Sequence, residues 1–471
     1  MLLSQEKRTV RVASPVVLRC TAVVLLAAVM AWLGRSVTVD DCYIYARYIQ
    51  NAVDGLGLVF NKGEQVNALT SPLYCYLLLV FANLVHGHVL LVMRVFFCVF
   101  WLLSCLLAEA LAPYAGILAA ACGYFYFVRG METPIFLFFI ALALWLYREE
   151  RWNWLPVVYV LLALTRFEGA LLALVLFAGQ LLRRKHSSLA SWLPVPILIA
   201  GYLLFNYHWY GMPLPSSAGA KFAQAKSGYW GRWPFAFLHM ASLKLALGWA
   251  YYLALPMFFL IWRGVRAGLR EGLTWIWPAL LFLTGLGAFC ILENIPNYTW
   301  YYAPFLYLGV ILAARGLPRG WGTQAVVWPL VLVLVISAVH VFNGFPADSP
   351  NPAMDDYARA GQWLVSHAPA GSRIAAAETG VIGWSAPHDY IIDVVGLTTP
   401  PNAIYTEHHQ LDRWFAEDHP DYVVVHVDRP WRWETPVLSA PDYAMVPVSF
   451  GSVRLYARKA LLASQPEAAG K

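Results

Sequence analysis

Apolar runs long enough to cross a lipid bilayer recur along most of this 471-residue chain, and no other feature restricts its folding as strongly. A helix rises about 1.5 Å per residue, so roughly 20 apolar residues cover a hydrocarbon core of about 30 Å. The runs fall at 16–34, 89–111, 114–128, 133–147, 154–165, 169–182, 189–207, 235–262, 273–292, 302–314 and 324–343. This predicts about 11 transmembrane helices. Runs such as 133–147 and 154–165 are short for a perpendicular crossing and leave a re-entrant hairpin open as the alternative. With 60% of residues hydrophobic and 13% charged, the chain reads as an integral membrane protein rather than a string of soluble domains. The net charge of +6 does not point to nucleic acid, because much of the Lys and Arg sits in short loops between runs.

The distribution of charge predicts an orientation. With the N-terminus in the cytoplasm, Lys7, Arg8, Arg11, Arg148, Arg151, Arg183, Arg184, Lys185, Arg263, Arg266, Arg270, Arg315 and Arg319 all fall in short inner segments. The carboxylates Asp40, Asp41, Asp54, Glu64, Glu132, Glu168 and Glu293 then collect on the outer side. The run after Arg11 lacks a clear cleavage site and reads as a retained first span. Apolar runs stop near Gly344, where "FPADSPNPAMDD" reads as a linker. Beyond it, helical stretches near 355–367 and 408–418 alternate with strand-like "RIAAAETGVIGW", "YIIDVVGL" and "DYVVVHV". The expected organisation is a transmembrane domain at 1–343, with its first outer loop at 35–88, and an outer α/β domain at 344–471. Cys42 and Cys75, both in the first outer loop, admit a disulfide if that loop faces an oxidising compartment.

The first outer loop opens "TVDDCYIYARYIQNAVDGLGLVFN" (38–61). Asp40 caps a helix over Tyr43–Val53, or one of Asp40 and Asp41 acts as a general base on an acceptor hydroxyl; two acids at a membrane cavity exceed what a cap requires. A Gly- and Asn-rich connector then leads to Leu73–Leu84, too short to span and read as an interfacial helix. This loop resembles a family of bacterial GT-C class membrane glycosyltransferases that use lipid-linked sugars, the group of the mycobacterial terminal arabinofuranosyltransferase and a pilin arabinosyltransferase. Its loop reads approximately DDAYIxxRYxxNxxxGxGLVFNxGExVxxxTSPL. "RGMETPIF" (129–136) is similar to the family's SGLETxLF, "LTRFEG" (164–169) to TRPEG, and "YGMPLPSSAGAK" (210–221) to YGxPLPNTxxAK. "ETGVIGWSAPHDYIIDVVGL" (378–397) is similar to DxGxIGYxSxxxxxDxxGL. Cys42, Phe167 and Ser216-Ser217 depart from the pattern, the last weakening any role carried by an Asn there.

The resemblance implies a GT-C-like α-helical polytopic fold and transfer of a sugar, with arabinofuranose favoured, from a polyprenyl-phosphate donor. The transfer is expected to invert the anomeric centre. Mannose or another hexose is the alternative. Acceptors left open are an envelope glycan, a glycolipid or a surface protein outside the bacterial cytoplasmic membrane. Asp40, preferred over Asp41, is the expected catalytic base. Glu132, Arg129, Arg166, Glu168 and Lys221, with Tyr43 and Arg47 inside the first motif, are the candidate donor or acceptor contacts. For Lys221 and Arg129 the expected partner is the lipid phosphate, whose departure a cation assists. Each has a plainer reading: a helix cap for Glu132, an Arg166–Glu168 ion pair, a solvated loop for Lys221. "NYTWYYAP" (297–304) reads as an interfacial belt before it reads as a sugar platform, and His208 and His239 as packing residues. Glu378 and Asp393 in the tail are candidates for acceptor contact, turn formation or docking. No metal ligand set is visible, although a divalent cation shared by Asp40, Asp41 and Glu132 stays open. A flippase for lipid-linked sugar is the rival from another class, but it needs ionisable groups along a path through the membrane, and here only Arg94 and Lys244 break the concentration of charge at the faces. A scaffold in envelope assembly is the third reading.

Overall fold

The computed structural model describes residues 14–344 and 352–463. Lys7, Arg8, Arg11 and most of the linker lie outside the described residues. The first part is helical: α1 (Pro15–Leu33), α2 (Asp41–Val53), α3 (Pro72–Leu84), α4 (Val89–Leu111), α5 (Ala115–Ala121), α6 (Tyr124–Phe127), α7 (Thr133–Arg148), α8 (Leu155–Thr165) and α9 (Glu168–Leu182) lead into further helices up to Trp321–Asn343. Pro15, Pro72, Pro134 and Pro156 each stand in the first turn of a helix, where a missing N–H costs nothing. Five apolar helical stretches reach crossing length: Pro15–Leu33, Val89–Leu111, Leu189–Tyr210, Phe235–Arg270 and Trp321–Asn343. Shorter apolar helices fill the space between them. Leu25, Leu174, Leu204 and Phe258 point outward, as expected of a surface solvated by lipid chains. The chain is therefore a multi-pass membrane protein with a helical bundle.

Two expected spans are interrupted. The run at 114–128 breaks into α5 and α6 because Cys122 is extended and Gly123 packs on Ala338, where an added Cβ would lie 2.6 Å from the alanine Cβ. At seven and four residues, neither piece alone has crossing length. The run at 235–262 is broken by a 3-10 turn at Gly248–Leu253. The core is instead held by close aromatic packing, with Trp101 stacked on Phe125 at 4.5 Å and the Tyr307 hydroxyl donating to the Ser104 carbonyl at 2.6 Å.

After the helix Pro352–His367 the chain forms a mixed five-stranded sheet. Its strands are β1 (Arg373–Ala376), β2 (Tyr390–Asp393), β3 (Tyr422–His426), β4 (Tyr443–Met445) and β5 (Val453–Arg458), in the order β2-β1-β3-β5-β4. β1 runs parallel to β2 and β3, with Ile374 opposite Ile391, and β5 is antiparallel to β3 and β4, with Val424 opposite Leu455. The "YVVV" of β3 is buried on both faces, which suits a central β-branched strand. The expected α/β tail is therefore present.

Candidate active site

Helix α2 is the hinge of the site, because it is wedged between the bundle and the tail and most of its length is buried. Asp40 stands at its N-cap but makes no side-chain bond to α2. Its Oδ2 accepts the Gly380 N–H at 2.8 Å and its Oδ1 the Val381 N–H at 2.7 Å. It thus caps the tail helix Thr379–Ser385, whose free N–H groups attract an anion. Gly380 is required there: an added Cβ would lie 2.0 Å from the Asp40 carbonyl oxygen. Glu378 is hydrogen-bonded to the Asp40 side chain, and burial together with the Asp40 charge raises its pKa well above the carboxylate range. Burial raises the pKa of Asp40 too. The two acids therefore hold a proton between them.

Arg47 does not reach a ligand site, contrary to the expectation from its motif. Its Nε donates to the Phe60 carbonyl at 2.7 Å, Nη1 to the carbonyls of Gly383 and Ala386, and Nη2 to Asn61 Oδ1 at 3.3 Å and the Asp389 carbonyl at 2.7 Å. All five guanidinium donors are used inside the protein. Asn61 extends this docking by exchanging two hydrogen bonds with the backbone of Ile391 in β2, at 2.9 and 3.0 Å. Tyr43 also turns from the site, its ring 6.4 Å from Trp384 of the tail. Arg129 packs over Phe97 and donates to the Ala31 carbonyl, away from the pocket described next. Cys42 and Cys75 are both buried free thiols, so no disulfide joins them.

Asp41 enters a pocket that it lines with Ile44, Tyr45, Leu69, Thr70, Met131, Glu132, Arg166, Lys221, Trp300, Tyr301 and Leu397. Six separate stretches of the bundle and one tail residue thus converge. Lys221, on the helix Ser217–Ser227, places Nζ 4.1 Å from the Tyr298 ring centre and 5.8 Å from that of Trp300. Burial lowers its pKa and the Asp41 charge opposes that; reciprocally, burial raises Asp41 and Lys221 opposes it. Arg166 stands between α8 and α9, whose antiparallel hairpin brings its turn to the pocket. It pairs with Glu132 and, at 2.8 Å, with Glu168, while Tyr301 lies beneath it at 5.2 Å. Glu132 does not cap α7, and its Oε2 is buried with no hydrogen-bond partner. Tyr45 and Thr70, hydrogen-bonded at 2.8 Å, join the pocket without having been singled out from sequence, as does Leu397. The position of Tyr45 four residues past Asp41 on one helix face is the signal that would have found it.

Thr70, Arg166, Lys221 and Tyr301 also border a second cavity of about 570 Å³. Its remaining lining is mostly apolar: Phe167, Leu171, Leu214, Phe222, Leu286 and Phe289 among others. In the tail, Asp393 accepts the N–H groups of Val395, Gly396 and Thr398 at 2.8–3.0 Å and so organises a turn. Among the described residues no three His, Cys, Asp or Glu side chains converge as metal ligands. For the cation that the sequence left open between Asp40, Asp41 and Glu132, Asp40 is instead directed at the Gly380 and Val381 N–H groups of the tail.

A membrane bundle of long and short helices, a first loop whose helix carries the acids, and a tail domain docked on that loop define a GT-C fold. Two solved structures share it. ArnT from Cupriavidus metallidurans bound to undecaprenyl phosphate is 12% identical, with a TM-score of 0.60 over 95% of this chain and 98% of that one. The archaeal oligosaccharyltransferase AglB from Archaeoglobus fulgidus, in complex with an inhibitory peptide and a dolichol-phosphate, is 13% identical, with a TM-score of 0.54 over 87% of this chain and 69% of that one. At these identities the likeness establishes the fold. Residues 351–464 match a domain of unknown function, DUF8728. No curated protein matches the sequence.

Proposed function

We propose that this chain is a GT-C glycosyltransferase that takes a sugar from a polyprenyl-phosphate donor and passes it to an acceptor hydroxyl outside the bacterial cytoplasm. The observation that carries this reading is one pocket holding a carboxylate, Asp41, and a lysine, Lys221, at the mouth of an apolar cavity of about 570 Å³. Such a cavity suits an isoprenoid chain, and the cation at its mouth suits the phosphate. Asp41 takes the proton as the acceptor oxygen bonds to the anomeric carbon. The bond from that carbon to the phosphate oxygen breaks on the opposite face, and polyprenyl phosphate leaves with its charge met by Lys221. Glu132, held by Arg166, lines the pocket with an Oε2 that has no partner of its own, and in this reading that oxygen accepts a sugar hydroxyl. Asp40 is a positioning residue that holds the tail over the site. Charge placement supports a cytoplasmic N-terminus and an outer tail. The tail, taken to begin at 344, then stands as a separate domain that completes the pocket through Leu397.

The motif resemblance supports arabinofuranose before a hexose. A transfer assay with synthetic polyprenyl-phosphate arabinofuranose, and in parallel with the mannose donor, tests the reaction and the sugar. Net transfer is expected with one of them and is expected to vanish in Asp41→Asn. Donor translocation without transfer would identify a flippase instead.

A further inference from the structure

Arg35 and Arg129 reach neighbouring carbonyls at the end of α1, Arg94 lies close enough for its charge to act on Arg129, and no carboxylate pairs with any of them among the described residues. Arg129, in the turn before α7, is nine-tenths buried, with Nη2 donating to the Ala31 carbonyl at 2.5 Å and its guanidinium 5.2 Å from the Phe97 ring centre. Arg35, just past α1, donates to the next carbonyl, that of Trp32, at 3.0 Å and lies over the Trp32 ring at 4.6 Å. Arg94 projects from α4 one turn before Phe97 and is exposed. None of the three has an ion pair among the described residues.

The carbonyl end of α1 attracts cations and accounts for one N–H of Arg35 and one of Arg129. It leaves the rest unexplained. Arg129 Nε is buried without a hydrogen-bond partner. Burial, with the neighbouring charges of Arg94 and Arg35, holds the Arg129 pKa below its usual value. The surroundings face lipid: Leu25, Val29 and Trp32 on α1, and Leu91, Val95 and Val99 on α4, are strongly exposed. An arginine among such side chains is costly unless an anion meets it.

We propose that Arg35, Arg94 and Arg129 bind the phosphate headgroup of an anionic membrane lipid at the groove between α1 and α4. The exposed stripes on the two helices provide the bed for its acyl chains, which distinguishes a lipid from free phosphate. None of the three lines the pocket of Asp41, so this site does not depend on the proposed transferase activity.

The test uses the full-length protein in nanodiscs holding equal phosphatidylglycerol and phosphatidylcholine, with retained lipid read by native mass spectrometry. Wild type is expected to retain phosphatidylglycerol over phosphatidylcholine, and Arg94→Gln to lose about five-fold of that preference, the effect of one basic residue near a membrane surface. Arg94→Lys is expected to keep most of it, and Arg35→Gln serves as a second variant should Arg94→Gln fail to fold. Equal retention of the two lipids by wild type, or an unchanged preference in both glutamine variants, overturns the proposal. Displacement of the lipid by millimolar glycerol phosphate also overturns it, in favour of a soluble phosphate.

Discussion

Asp40 and Val381 stand 341 positions apart in sequence, and the carboxylate of one accepts the backbone N–H of the other at 2.7 Å. The bond joins the start of the first loop helix to the start of a tail helix. It makes the tail a wall of the pocket that Asp41, the next residue, enters. Neighbouring acids therefore face different surroundings, Asp40 the tail and Asp41 the pocket, and the proposed separation of docking from chemistry can be measured.

Replacing Asp41 by Asn is expected to lower transfer by about 10²–10⁴-fold, the usual yield of a positioned base, while donor binding persists. Asp40→Asn keeps an oxygen for one of the two N–H groups and should retain measurable turnover with reduced thermal stability. Steady-state transfer and a thermal unfolding curve on both variants distinguish the roles; the reverse ranking would return the base to Asp40.

The Arg47 network predicts a stability effect. Arg47→Met strands the carbonyls of Gly383 and Asp389, and loss of a buried charged donor commonly costs about 1–3 kcal/mol per unsatisfied group. Scanning calorimetry should show a lowered transition, with activity falling in parallel as the tail loosens.

Stability should fall as pH rises through and above the ordinary carboxylate range. The folded state holds a proton between Asp40 and Glu378 that the unfolded chain releases, so fewer protons are bound when unfolded and the slope with pH is negative. Glu378→Gln removes one charge and keeps a donor for Asp40; it should flatten that slope. Denaturation midpoints between pH 5 and pH 8, a range that brackets the value of about 7 to which burial pushes Asp40, check the sign.

Filling the apolar cavity should discriminate donors by chain length. Ala218→Trp or Leu286→Trp narrows it and is expected to raise KM for a long polyprenyl donor with little change for a short-chain analogue. Equal effects on both donors would dissociate the cavity from the isoprenoid.

The membrane character, the helical bundle and the α/β tail were legible in the chain itself, because runs of apolar residues and alternating strands encode their own solvent. The motifs also placed Asp41, Glu132, Arg166 and Lys221 among the candidates, and all four line one pocket. What local pattern did not contain was the division of labour within α2. Successive residues on a helix point about 100° apart, and Cys42 and every residue from Ile44 to Ile49 are buried, against the bundle and against the tail. Amphipathicity therefore marked no single working face, and Asp40, Tyr43 and Arg47 were read as parts of the site although they serve the docking surface. Likewise, the run at 114–128 is apolar throughout and reads as one helix, whereas the structure breaks it at Cys122, beside the close contact of Gly123 with Ala338. Composition selected the solvent and the residue types, and long-range contact decided which of those residues faces the pocket.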